Sequence, residues 1–167
     1  QSELDKPVYS HKKHLEFSLL NNRKHGEYVS NTENGDVIQK GKYINGKKDG
    51  QWIFYEGNKL KDKNTYANGV LNGTSITYHY NNGTDIKTKG SYLNGMKNGD
   101  WSEYHQNGNL NALKKYENDT LQGDYKAYYD NDTLYCEGKY KDSLMNGVWT
   151  YYHRNGEIKV KGKFIDG

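Results

Sequence analysis

The chain has 167 residues, of which 32% are hydrophobic and 14% aromatic, with 17 tyrosines, 19 glycines and a single proline. So low a hydrophobic content excludes a thick aliphatic core, but disordered chains are poor in aromatics, so the rings are read as the packing material of a thin, ordered β-structure. A net charge of +3, from 24 basic and 21 acidic residues, offers no clustered basic surface for nucleic acid, and no apolar run approaches the ~18 residues of a membrane span.

Residues 1–14, which include His11-Lys12-Lys13-His14, match nothing that follows and are read as an N-terminal tail. The first residue is Gln1. Taken as a mature N-terminus after signal removal, it places the protein in the cell envelope, in the periplasm or outside the cell; otherwise the expectation is cytoplasmic. Leu15-Glu16-Phe17-Ser18-Leu19 reads as a first strand and cap. From there a unit of about 24 residues recurs, each opening on a glycine ahead of an aromatic strand: Gly26, Gly50, Gly73, Gly99, Gly123 and Gly147. Such a period marks a repeat array, here spanning 15–167.

Each unit reads Gly-x-aromatic-x-x-Tyr, then Asn-Gly, then Gly-x-Tyr, then Asn-Gly again. A second-strand aromatic precedes the next glycine by seven residues at Tyr43, Tyr66, Tyr92, Tyr116 and Tyr140, and Leu19 stands in the same relation to Gly26. One set of turns is Asn34-Gly35, Asn82-Gly83, Asn107-Gly108 and Asn155-Gly156; the other is Asn45-Gly46, Asn68-Gly69, Asn94-Gly95 and Asp166-Gly167. Both sets predict type I′ hairpin turns, which need positive φ at two successive residues. Short connections throughout make neighbouring strands antiparallel. The predicted fold is all-β: an elongated antiparallel meander, a single-layer solenoid of about six two-stranded hairpins and roughly twelve strands. Lys161-Gly162-Lys163-Phe164-Ile165-Asp166-Gly167 stops on a turn, so the last strand is expected to have an open edge.

Side chains alternate between faces. The third position of the unit (Tyr28, Trp52, Trp101, Tyr125, Trp149) therefore forms one ladder. The sixth (Tyr55, Tyr78, Tyr104, Tyr128, Tyr152) forms a second on the opposite face, provided no bulge intervenes.

Tyr43-Ile44-Asn45-Gly46-Lys47-Lys48-Asp49-Gly50-Gln51-Trp52-Ile53-Phe54-Tyr55 and Tyr92-Leu93-Asn94-Gly95-Met96-Lys97-Asn98-Gly99-Asp100-Trp101 resemble the MORN-repeat family. They are closest to its bacterial variant class, labelled YwqK-family antitoxin. The resemblance runs from about Leu15 to Gly167. It implies hairpins stacked into an extended single-layer sheet, and a protein-interaction or scaffold role, antitoxin-like in neutralising a partner by binding it. Departures are Ser75 in place of an aromatic, expected to mark a groove or kink, Glu56-Gly57 for Asn-Gly, and Asn131-Asp132 and Asp142-Ser143 in the fifth unit.

No catalytic constellation emerges. His79, His105 and His153 share a repeat position, but successive units lie about 9–10 Å apart, too far for one metal with ligands at about 2.0–2.1 Å. Asp100, Glu103, Asp124 and Glu157 are scattered across units, and Cys136, the only cysteine, is read as a packed repeat residue. No enzyme activity, cofactor or metal is expected. Function is expected on an aromatic face or an open sheet edge, with Trp52, Phe54, Trp101, Trp149 and Tyr151 as partner-binding candidates, since aromatics dominate binding hot spots. The expected partner is another protein, a subunit of a larger complex or a toxin. Homodimerisation through the C-terminal edge is a second possibility, and a glycan or cell-wall binder using stacked aromatics is the alternative.

Overall fold

Two residues in left-handed backbone turn a strand back on itself in the twist that a hairpin prefers. That geometry is present at Asn45-Gly46 (φ 50° and 82°), Asn68-Gly69 and Asn94-Gly95. It is also present at Asn21-Asn22, Asn118-Asp119 and Asp142-Ser143, which contain no glycine. These are the type I′ turns. The other set differs from expectation: at Asn34-Gly35, Asn107-Gly108 and Asn155-Gly156 only the glycine has positive φ. There Gly35, Gly108 and Gly156 donate to the carbonyls of Thr32, His105 and His153 at 2.9–3.0 Å, while Thr32, His105 and His153 donate to Asp36, Asn109 and Glu157 at 2.8 Å. This is a three-residue loop, a type I turn closed by a left-handed residue, and Asp132 (φ 64°) fills the glycine's place in the fifth unit.

The computed structural model describes residues 8–9, 15–81 and 83–165; His11-Lys12-Lys13-His14, Asn82 and the turn Asp166-Gly167 lie outside them. The described residues form strands joined by turns, in two compact units that divide between Thr84 and Asp85. The first holds β1 (Val8–Tyr9), β2 (Leu15–Leu20), β3 (Arg23–Asn31), β4 (Val37–Ile44), β5 (Lys47–Glu56), β6 (Lys59–Ala67) and β7 (Val70–Tyr78). The second holds β8 (Ile86–Leu93), β9 (Met96–Tyr104), β10 (Leu110–Glu117), β11 (Thr120–Leu121), β12 (Gly123–Tyr128), β13 (Leu134–Lys141), β14 (Leu144–Tyr152) and β15 (Ile158–Phe164). Within each unit the strands pair antiparallel in chain order, β11 and β12 both pairing with β10. The fold is the expected all-β hairpin meander. Val8–Tyr9, inside the segment read as a tail, pairs with Phe17 and Glu16 of β2.

The recurring glycine is a bulge. Lys40 pairs with Ile53 and Lys42 with Asp49, so β5 advances four residues where β4 advances two. The same slip occurs between Asn64 and Tyr66, Lys89 and Ser91, and Glu137 and Lys139. Gly26, Gly50, Gly73, Gly99, Gly123 and Gly147 all have positive φ (69–111°), as a bulge requires. Two extra residues leave the alternation of faces in phase, so the third-position ladder survives. A bulge leaves a backbone carbonyl to be satisfied, and at Gly26, Gly50, Gly99 and Gly123 the next type I′ turn supplies the donor. Gly46, Gly69, Asp119 and Ser143 donate to Lys24, Lys48, Lys97 and Leu121 at 2.7–3.0 Å. At these four places turn and bulge tie a repeat to the one before it within the same unit.

Packing follows from one recurring pair. Gly41, Gly90 and Gly138 lie directly under the rings of Trp52, Trp101 and Trp149, and a Cβ on any of them would fall inside the indole. Each indole N–H reaches one residue past its glycine, to the carbonyls of Lys42, Ser91 and Lys139 at 3.1–3.2 Å. Tyr43, Tyr92 and Tyr140 meet the same rings edge-on at 4.9–5.3 Å between centroids, and Tyr66, Tyr116 and Phe164 close the other side at 6.1–6.5 Å. Such edge-to-face pairs add about 0.5–1.5 kcal/mol beyond burial. In the third unit Ser75 is buried and donates to Asn64 Oδ1 at 2.6 Å, so the expected groove there is a closed polar pair.

Two substitutions test this packing by urea denaturation. Trp101→Ala is expected to cost roughly 3–5 kcal/mol, and a loss under about 1 kcal/mol would remove the ladder from its place as the core. Gly90→Ala is expected to cost about 1–3 kcal/mol through overpacking against the indole.

Candidate binding surface

The five aromatic candidates lie on the ladder face of their own units. Trp52 and Phe54 have centroids 6.3 Å apart, and Trp149 and Tyr151 6.2 Å. The indoles are not open to a partner, however: Trp52, Trp101 and Trp149 are only 0%, 5% and 2% exposed. Glycine beneath, tyrosine on one flank and a further ring on the other leave them no free face. The surface on this side is made instead of half-buried rings, Phe54 and Tyr151 among them.

Lysine stems complete the cover. Lys48 Nζ stands 4.1 Å from the Trp52 ring centroid, 4.6 Å from Phe54 and 5.3 Å from Tyr66. Lys24 lies 4.6 Å over Tyr28 and Lys97 4.6 Å over Trp101. Cation–π attraction and the aliphatic stem both favour this placement. Burial, and then the charge of Lys24, hold the Lys48 ammonium below the usual lysine range. All three lysines stand two residues before the bulge glycine, where Leu71, Leu121 and Met145 stand in the other units. That recurrence is visible in the sequence and marks the position as a lid over the rings.

The opposite face is polar and of mixed sign. Tyr152 donates its hydroxyl to Glu137 Oε1 at 2.9 Å, and Lys126 and Lys139 pair with Glu137 and Asp124 at 3.4 and 3.0 Å. A groove of about 470 Å³ includes Lys115, Lys126 and Lys139 together with Asp100 and Asp124 in its lining. Alternating charge of this kind does not select an anion. His105 and His153 open three-residue loops, and His105 Nε2 lies 2.9 Å from the Tyr128 carbonyl oxygen. Among the described residues no three His, Cys, Asp or Glu side chains gather as metal ligands.

The most exposed apolar side chains of the second unit lie on and beside β15. Ile158, Val160 and Ile165 are 62%, 53% and 73% exposed. Among the described residues β15 pairs with β14 and with no other strand.

Burial sets the acid–base behaviour of the core. It pushes the Tyr125 hydroxyl up to about 12, with Cys136 the next contributor, and the Cys136 thiol to about 11. A group whose folded pKa is raised stabilises the fold below its unfolded pKa, and that stability is lost as pH rises through the folded value. The protein is therefore expected to lose stability from about pH 10 towards pH 12, and Tyr125→Phe to lessen that loss in pH-dependent denaturant melts. Cys136, 3% exposed, is expected to react with a thiol reagent at neutral pH only at the rate of unfolding.

Residues 24–45, 97–118, 121–142 and 145–166 match the family described as MORN repeat variant. Each match runs from the lid position to the type I′ turn or its equivalent, and so contains one bulge and one three-residue loop. The span between the first two matches holds the departures at Glu56-Gly57 and Ser75. No curated protein matches the chain significantly. Repeats of this kind are generally associated with binding to proteins or membranes. With just over half of its residues matched, as hairpins that the structure reproduces one for one, the chain belongs to the MORN repeat variant family.

Proposed function

We propose that the chain is a non-catalytic protein-interaction module that recognises a partner protein through its half-buried aromatic face and the open edge at β15. The observation that supports this reading best is where the apolar surface lies. The tryptophans are interior, while Ile158 and Val160 on β15, and Ile165 just after it, stand exposed; among the described residues β15 pairs with β14 alone. Exposed apolar side chains at neighbouring positions of one face, as at Ile158 and Val160, suit a protein partner. The carboxylates argue for binding rather than catalysis: Glu103 pairs with Lys114 and Asp124 with Lys139. In its finer form the proposal is an antitoxin-like neutraliser, or an accessory subunit of a larger complex at the cell envelope.

A glycan-binding role draws on the same aromatic content but needs open ring faces to stack on. Burial of Trp52, Trp101 and Trp149 withholds the best of those platforms, which is why the protein-binding reading is preferred.

Affinity purification of the tagged chain from its native host tests the proposal. A protein recovered in stoichiometric amount, and lost with the Ile158→Asp/Val160→Asp double variant at unchanged circular dichroism, is the expected result. Retention on cell-wall polysaccharide with no protein partner would overturn it.

A further inference from the structure

The face opposite the aromatic ladder balances its charges in the second unit and leaves them unbalanced in the first. In the second unit Lys126 pairs with Glu137 at 3.4 Å and Lys139 with Asp124 at 3.0 Å. In the first unit the register sets a different row across β3 to β7: Val29 stands opposite Lys40, Lys40 opposite Ile53, Ile53 opposite Lys63 and Lys63 opposite Ile76. Directly opposed residues of an antiparallel pair share a sheet face, so apolar and cationic side chains alternate along this row. Lys42, two residues beyond Lys40 on β4, belongs to the same face. Lys40 leans over Tyr55 at 5.8 Å and Lys63 over Tyr78 at 5.5 Å, so sixth-position tyrosines hold both ammonium groups in place. Among the described residues Lys40, Lys42 and Lys63 form no ion pair. Glu27, across from Lys42, makes none either, and Glu56 pairs with Lys61 at 3.2 Å. Val29, Ile53 and Ile76 are half-buried, while Lys40 and Lys42 are exposed.

We propose that this face of the first unit docks an extended acidic segment of a partner protein. Carboxylates of the segment pair with Lys40 and Lys63, and an apolar side chain between them seats on Ile53. Charge complementarity selects the occupant, since three cations that lack a carboxylate partner favour an acidic chain over a neutral or basic one. Lys40 and Lys63 lie two strand spacings apart, about 9–10 Å, which suits carboxylates spread along a chain better than a single phosphate. Val29, Ile53 and Ile76 argue for a peptide, because a nucleic acid or a sulfated glycan brings no aliphatic side chain to cover them. Half-buried beside exposed lysines, they can be reached by a peptide side chain and not by a flat lipid surface. This surface is separate from the aromatic face and from β15, so the inference goes beyond the protein-interaction reading and adds both a second docking face and the chemistry of its partner.

The test is an amide chemical-shift titration of the full chain with a synthetic heptapeptide, Glu-Ser-Leu-Ser-Glu-Ser-Leu, whose glutamates and leucines share one side when extended. Saturable shifts are expected on β4, β5 and β6 around Lys40, Ile53 and Lys63. Binding should weaken about tenfold or more when the glutamates become glutamine, when the leucines become serine, or with Lys40→Gln/Lys63→Gln in the protein, and it should weaken as salt is raised. An unchanged amide spectrum away from the site shows that the double variant is folded; should it fold poorly, the peptide variants alone decide the matter. Equal binding of the glutamate and glutamine peptides, equal binding of the leucine and serine peptides, shifts centred elsewhere, or no saturable shift would overturn the proposal. Capture on phosphatidylserine vesicles that Lys40→Gln/Lys63→Gln abolishes, with no peptide binding, would overturn it in favour of a membrane, and self-association through this face that the peptide does not displace would overturn it in favour of a second copy. Peptide binding with no host protein captured sinks the reading built on Ile158 and Val160 and leaves this surface standing; host capture with no peptide binding does the reverse.

Discussion

An indole ring laid flat across a neighbouring strand cannot share that space with a side chain, and the rest of this structure is arranged around that constraint. Gly41, Gly90 and Gly138 clear the floor under Trp52, Trp101 and Trp149. Where the ring is smaller or missing, the floor is not glycine: Lys114 stands eleven residues before Tyr125, Asn64 before Ser75, and Phe17 before Tyr28. The bulge glycine sets the strand's register so that ring and floor coincide, and the type I′ turn of the following repeat satisfies the carbonyl the bulge leaves over. Aromatic rings wedge each indole from both sides, and lysine stems close the top over Trp52 and Trp101. Hydrophobic burial is thus concentrated in a few large residues, which is how a chain only 32% hydrophobic orders itself.

Much of this was legible in the residues. Asn-Gly located the hairpins, and the seven-residue spacing from aromatic to glycine fixed the repeat. Turn type was not legible, because the same Asn-Gly serves two geometries. At Asn45-Gly46 both residues are left-handed, at Asn34-Gly35 only the second, and the difference lies in how many residues separate the closing pair. Asn21-Asn22 and Asp142-Ser143 make type I′ turns without glycine because asparagine and aspartate tolerate left-handed backbone. The bulge was hidden because an insertion of two residues leaves the period-two pattern of a strand intact.

Ring exposure was the part of the candidate site that the sequence could not supply. In a single layer, two aromatic ladders suggest that one stays open. The cover comes from Tyr43, Tyr92 and Tyr140 turning edge-on to the tryptophans, and from Lys48 and Lys97 folding over them. The ring surface that remains accessible is therefore that of the half-buried rings around the tryptophans, Phe54 and Tyr151 among them.

A double-mutant cycle on Gly138 and Trp149 measures that interface most directly. The account predicts that Gly138→Ala costs about 1–3 kcal/mol beneath the native indole. In a Trp149→Tyr background, where the smaller ring resembles Tyr125 over Lys114, the same change should cost less than about 0.5 kcal/mol. Additivity of the two substitutions to within about 0.5 kcal/mol would contradict the claim that glycine and indole form the unit on which the fold is built.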